Sequence, residues 1–254
     1  MANNITADPN CISLWRFESG AMLTDAMGNN TLTHSNPSYP PLEDTSVYHE
    51  GDCSAQYTYI DEEPYEIDDS NLSADFPLKN GGGKTTFSWV AWVNINAIGS
   101  DPRCIGKMDA VAVDTAVFIS VATETWGFDA SGNETDSGIG IAWDTWQHIA
   151  VTYDGATGQL TIRVYDEATA SVDSYQTTLT GGDVVAVGTK PWTIGDPDWY
   201  LAMNIDEVAV FDDVLTPAEI DEIRAETFGG GGGGEEQTTG DGGWISTLFL
   251  GCPF

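Results

Sequence analysis

Two pairs of carboxylates in this chain have the spacing at which a glycoside bond can be cleaved, Glu66-Ile67-Asp68 and Glu219-Ile220-Asp221. A general acid and a nucleophile must face one sugar, roughly 5 to 5.5 Å apart in a retaining enzyme. Residues two apart share a face on a strand but point in different directions on a helix. Glu219 and Asp221 follow Thr216-Pro217, which begins a helix, so that pair is excluded. Glu66 and Asp68 suit a strand, with Ser70 and Asn71 following them. Nucleophilic chemistry has no better footing: His34, His49 and His148 are the three histidines, and no G-x-S-x-G elbow accompanies them. His148 sits in a strand motif and is expected to be structural. Cys11, Cys53, Cys104 and Cys252 form no C-x-x-C pair, which argues against zinc and dithiol chemistry. Three disulfide pairings are open, a Cys11–Cys53 bridge among them, and buried free thiols are an equal alternative. No catalytic residue is assigned.

Recognition of a sugar needs less: an aromatic face for its C–H groups, with carboxylates and amides for its hydroxyls. Nine tryptophans are available. Trp15, Trp89, Trp92 and Trp146 fall in apolar strand runs and are expected in the core. Trp126 beside Gly127, and Trp192, Trp199 and Tyr200 around a Gly-Asp-Pro-Asp turn, are expected to be exposed and are the candidate ligand-binding residues.

The elements that position these groups read as short strands. In Trp146–Asp154, Ile149, Val151 and Tyr153 alternate with His148, Ala150 and Thr152, the period of a strand with unlike faces. The turn Asp154-Gly-Ala-Thr-Gly158 follows, then the alternating run Leu160–Tyr165, which predicts a hairpin. Asp129-Ala-Ser-Gly-Asn-Glu134 lacks the ligand spacing of an EF-hand and reads as a second hairpin loop. A Pro-rich, acidic excursion over 36–75 is expected to wrap a sheet edge or rim a face. One helix is predicted after Thr216: Thr216 as N-cap, Pro217 at its first position, Glu219 closing a capping box, and Leu215 against Ile220 as a staple.

Six segments in order resemble the laminin-G-like, concanavalin A-type jelly roll of bacterial, archaeal and phage proteins. They are L-W-R-F-E (14–18), D-A-M-G-N-N (25–30), F-S-W-V-A-W-V (87–93), W-Q-H-I-A-V-T-Y-D-G (146–155), W-T-I-G (192–195) and I-D-E-V-A-V-F-D-D-V-L-T-P-A-E-I (205–220). The resemblance implies an all-β, two-sheet antiparallel sandwich with one short C-terminal helix over residues 1–228. It also implies a Ca2+ ion between the first long loop and the last long strand. Its ligands would come from Asp25, Asn29, Asn30 and Asp206, with Glu18 a weaker candidate. Calcium takes six to eight oxygens from carboxylates, amides and carbonyls, and a D-x-x-G-N turn offers all three. Asp206, amid Ile205, Val208 and Val210, would need a partner for its charge. Some members of this wider superfamily hydrolyse glycans, but their further glutamate is missing here.

With 40 acidic and 8 basic side chains the 254-residue chain has a net charge of −32. It has no basic stripe for phosphates, so nucleic acid and anionic membranes are excluded as partners. A saline setting fits such a surface. The first ten residues show no secretory signal, and no apolar run reaches the roughly 20 residues of a membrane span. Residues 229–243 are glycine-rich and read as a flexible linker. Residues 244–254 are apolar and read as a docking segment, either a last strand of the sandwich or a peg into a larger assembly. The expectation is a non-catalytic glycan-binding or adhesion module, extracellular or on a virus particle, with a cell-surface polysaccharide as partner. A sugar-free decoration protein is the alternative, and a glycoside hydrolase the weaker one.

Overall fold

The computed structural model describes residues 4–58, 64–100, 102–180, 188–197 and 201–228. The linker and docking segment, Trp199 and Tyr200 lie outside the described residues. Among the described residues fifteen strands run in chain order: β1 (Cys11–Trp15), β2 (Thr33–His34), β3 (Leu42–Asp44), β4 (Ser54–Tyr57), β5 (Tyr65–Ile67), β6 (Phe87–Ile98), β7 (Arg103–Met108), β8 (Val113–Ser120), β9 (Thr125–Ala130), β10 (Asn133–Gly140), β11 (Trp146–Asp154), β12 (Gln159–Asp166), β13 (Ser171–Thr178), β14 (Trp192–Ile194) and β15 (Leu201–Phe211). The helix α1 (Pro217–Arg224) follows.

They form two antiparallel sheets. One has the order β13-β12-β11-β6-β15-β4-β3, with β1 also paired to β15, and the other β10-β9-β8-β7-β14-β5-β2. The 36–75 excursion does more than wrap an edge, because β3 and β4 extend the first sheet while β5 joins the second. Alternation explains why the sheets stack. Trp89, Val93, Val151 and Ile205 from one sheet meet Ile105, Val117, Phe128 and Ile194 from the other in a continuous core. Each fully buried aromatic withdraws roughly 150–250 Å² from water.

The opposite face of the eight-stranded sheet is closed at one end by a second apolar cluster, in which Leu14, Val90, Ala150 and Ala209 pack under Leu215, Ile220 and Ile223 of the helical segment. The predicted cap is present: Thr216 Oγ1 accepts from Glu219 N at 3.3 Å, and Glu219 Oε2 accepts from Thr216 N at 2.7 Å. Both predicted hairpins are also present, β11–β12 and β9–β10. In the first, the Asp154 carboxylate accepts from Ala156 N and the Thr157 hydroxyl. Cys11, Cys53 and Cys104 are buried free thiols.

Candidate functional site

The loop of Asp25 is organised by its carboxylate. Oδ1 accepts the N–H groups of Leu14 and Met27, both at 2.9 Å, and Oδ2 those of Asn29 at 3.0 Å and Asn30 at 2.8 Å. Asn30 is equally committed: its amide oxygen accepts from Ser73 N at 2.7 Å, and its Nδ2 donates to Ser13 Oγ at 2.8 Å. The side chain of Asp206 lies in a separate network, Oδ2 accepting from His49 N at 2.9 Å and Glu50 N at 3.0 Å, Oδ1 from Glu207 N at 2.9 Å. Backbone N–H groups point their positive ends at the lone pairs a cation would use. The Asp25, Asn30 and Asp206 side chains therefore do not fit a shared calcium shell. Among the described residues no group of three or more His, Cys, Asp or Glu is arranged to hold a metal. Asn29 is exposed, and Glu18 accepts Asp52 N at 3.0 Å. Gly51, at φ +67°, lets the 48–52 loop pass the Glu18 carboxylate where a Cβ would collide.

Asp206 and Glu207 occupy a bulge in β15 where the strand changes neighbours. Met203–Ile205 pair with β4, and Val208–Phe211 with β1. Glu207 adopts φ +47°, a conformation β-strand residues avoid. Arg16 Nη1 reaches Glu207 at 3.0 Å and Glu50 at 3.7 Å. Burial pushes the carboxyls of Glu50 and Asp206 up to about 7 and that of Glu207 to about 8. Over this cluster the ring of His49 stacks on Trp92, with centroids 3.4 Å apart. His148 is buried behind them, its pKa lowered to about 3 by desolvation. Backbone N–H groups and one guanidinium fasten these loops to the last strand.

Two expected ligand-binding aromatics are core residues. Trp126 is 0% exposed and its Nε1 donates to Gln147 Oε1 at 3.1 Å. Its neighbour Gly127 belongs to β9, where a Cβ would strike the Phe118 ring, so this glycine marks close packing instead of a loop. Trp192 is also 0% exposed, between Trp15, Trp89 and Phe76. Neither can stack on a sugar. Of the carboxylate pairs, Glu66 lies on β5 with Asp68 just past its end, while Glu219 caps α1 and Asp221 pairs with Arg163 at 2.7 Å.

The structure offers a different concavity, where the edge strands β2 and β3 of the two sheets adjoin. A cavity of about 370 Å³ opens there, bounded by the 20–24 loop, Pro40, Pro41, His34, Glu43 and Tyr65. His34 packs at 5.3 Å from the Tyr65 ring and its Nδ1 has no hydrogen-bond partner. The Glu43 carboxylate accepts from the Ser19 hydroxyl at 3.1 Å and Gly20 N at 3.2 Å. These residues come from three separate segments of the first 65 residues. The edge strands bring them together, and no local motif announces them.

Fold and site define a jelly-roll sandwich with an edge pocket of aromatic, imidazole and carboxylate groups. The profile of the concanavalin A-like lectin/glucanases superfamily matches residues 68–221, and the chain belongs to that family. Its fold is similar to the binding domain of Paraclostridial Mosquitocidal Protein 1 (12% identity, TM-score 0.57, covering 86% of this chain and 52% of that one). It is also similar to Trypanosoma rangeli sialidase (12%, 0.53, 85% and 32%). A third similar structure is the binding domain of Botulinum Neurotoxin DC in complex with SialylT (12%, 0.57, 85% and 51%). The chain spans about half the length of the toxin domains and a third of the sialidase. No curated protein matches the sequence.

Proposed function

We propose that the chain is a non-catalytic glycan-binding module acting at a cell surface or on a virus particle, with the pocket between β2 and β3 as its saccharide site. The pocket carries the reading. Its volume of about 370 Å³ suits one or two sugar rings, the His34 ring offers a face for C–H groups, and Glu43 and the Thr24 hydroxyl offer partners for sugar hydroxyls. Membership of a lectin-containing family and a fold shared with a toxin domain solved with SialylT support it. Among the described residues no pair of carboxylates in a shared cleft supports hydrolysis.

The test is glycan-array binding of the full chain, in calcium and in chelator, beside His34→Ala and Glu43→Gln. Binding to a defined sugar class that both variants lose, with unchanged melting, supports the pocket. The Asp25, Asn30 and Asp206 side chains are satisfied by the chain itself, so binding is expected to persist in chelator. A folded chain that binds no glycan would overturn the reading in favour of a decoration protein that makes protein contacts alone.

A further inference from the structure

The outer face of the eight-stranded sheet carries a second concavity, far from the edge pocket in strand order. Thr152, Thr161 and Gln176 lie side by side across β11, β12 and β13, and Arg163 pairs with Ser174 in the next row but one. Together with Gln159 they form one wall of a groove of about 300 Å³. The other wall is Val214, Pro217 and Ile220 at the start of the helical segment.

Two features decide what such a groove would hold. Its charge is unlike the rest of the molecule: 40 of the 254 residues are acidic, yet among the described residues no carboxylate lines it. Its one charged side chain, Arg163, is already engaged by Asp221 at 2.7 Å. A cation has nothing to bind there, and an anion would meet a guanidinium whose charge is matched. The two walls also differ in kind. One presents hydroxyls and amides, of which Gln176 Nε2 and Thr161 Oγ1 already form a 3.3 Å hydrogen bond on the exposed sheet face. The other presents mainly aliphatic carbon, with Thr216 among it. A pyranose has the same duality, hydroxyls around its rim and C–H groups on its face, and the groove runs across strands instead of ending in a closed pocket.

We propose that this groove is a second saccharide site, for an uncharged oligosaccharide, bound between the Thr161–Gln176 row and the Val214–Pro217 wall. It stands on different residues from the edge pocket and does not require that pocket to bind.

The experiment is a titration of the full-length, isotope-labelled chain with neutral gluco-, manno- and galacto-oligosaccharides, following amide resonances. It is repeated on Thr161→Val/Gln176→Leu and on His34→Ala/Glu43→Gln. The expected result is saturable shifts at residues 159–163 and 174–176 that the first double variant weakens by about tenfold or more, the effect of losing two hydrogen-bonding groups, and that the second leaves unchanged. Both substituted groove residues are at the surface, and unchanged melting certifies the fold. Shifts confined to the edge pocket would overturn the groove and support the pocket. Shifts at the groove alone would do the reverse. No shift with any neutral sugar, or shifts only with sialylated sugars added as controls, would overturn the groove.

Discussion

Arg16 holds Glu207 across the β1–β15 junction, Nη1 lying 3.0 Å from Oε2, and the same guanidinium is shared with Glu50 at 3.7 Å. This cation therefore serves two carboxylates, and the buried carboxyl of Asp206 lies next to Glu207 in the chain and accepts the N–H of Glu50. Burial raises Glu50 and Asp206 to about 7 and Glu207 to about 8. Between their unfolded values near 4 and these folded ones, the folded chain keeps protons that the unfolded chain has released. Their contribution to stability is therefore lost as pH rises. Burial lowers His49 to about 4 and His148 to about 3, which costs stability only on the acid side of about pH 6.5. The two effects oppose each other below that pH, and only the carboxyls act above it. Melting temperature at fixed ionic strength is expected to fall between roughly pH 6.5 and 8.5. Glu50→Gln should flatten this limb and change little near pH 5, where Glu50 is already neutral. A flat wild-type profile over the alkaline range would show that the cluster does not titrate with folding.

Lys107 is completely buried on β7, where its ammonium pairs with Asp69 and donates to the carbonyls of Leu78 and Gly188 at 2.7 Å each. Desolvation pushes its pKa down, but three oxygens surround the charge. Lys107→Met keeps the volume and strands those oxygens, with an expected loss of about 3–5 kcal/mol. The double variant Lys107→Met/Asp69→Leu should recover part of it, because the uncompensated carboxylate is gone. Chemical denaturation measures both. A single variant as stable as wild type would mean that water satisfies the freed oxygens.

Much of the fold could be read locally, and the reasons are visible in particular residues. The alternation of Ile149, Val151 and Tyr153 became the inner face of β11, and Thr216-Pro-Ala-Glu219 became a capped helix start, because each signal acts within a few residues. Asp25 and Asp206 were singled out as calcium ligands, and in the structure their carboxylates accept backbone N–H groups. Sequence shows that they carry oxygens, but not that seven N–H bonds converge on those oxygens. Trp126 and Trp192 were misplaced because neighbouring glycines resemble loops, whereas Gly127 is small to admit the Phe118 ring from β8. His34, Glu43 and Tyr65 meet only because β2 and β3 end the two sheets on the same side, a fact of topology with no local signature.

The cap of α1 has its own measurable weight. Thr216→Ala removes the acceptor of Glu219 N and is expected to cost about 1 kcal/mol, while Thr216→Asp should restore it. Since α1 covers Val90, Ala150 and Ala209 on the outer sheet face, amide exchange should quicken in α1 and at those positions first. Exchange that quickens uniformly over both sheets would instead mean that the helix and sandwich open as one unit.

Net charge sets the last expectation. At −32, folding brings like charges together, and the cost depends on screening. The Debye length shortens from about 10 Å at 0.1 M salt to about 3 Å at 1 M. Melting temperature is therefore expected to climb steeply up to roughly 0.5–1 M KCl and then level off, because surface carboxylates several ångströms apart are by then screened from one another. Sucrose, which is excluded from protein surfaces without screening, should give no such early rise. A rise that persists linearly into molar salt and is matched by sucrose would assign the effect to solvent exclusion, and the fit of the acidic surface to a saline setting would lose its electrostatic basis.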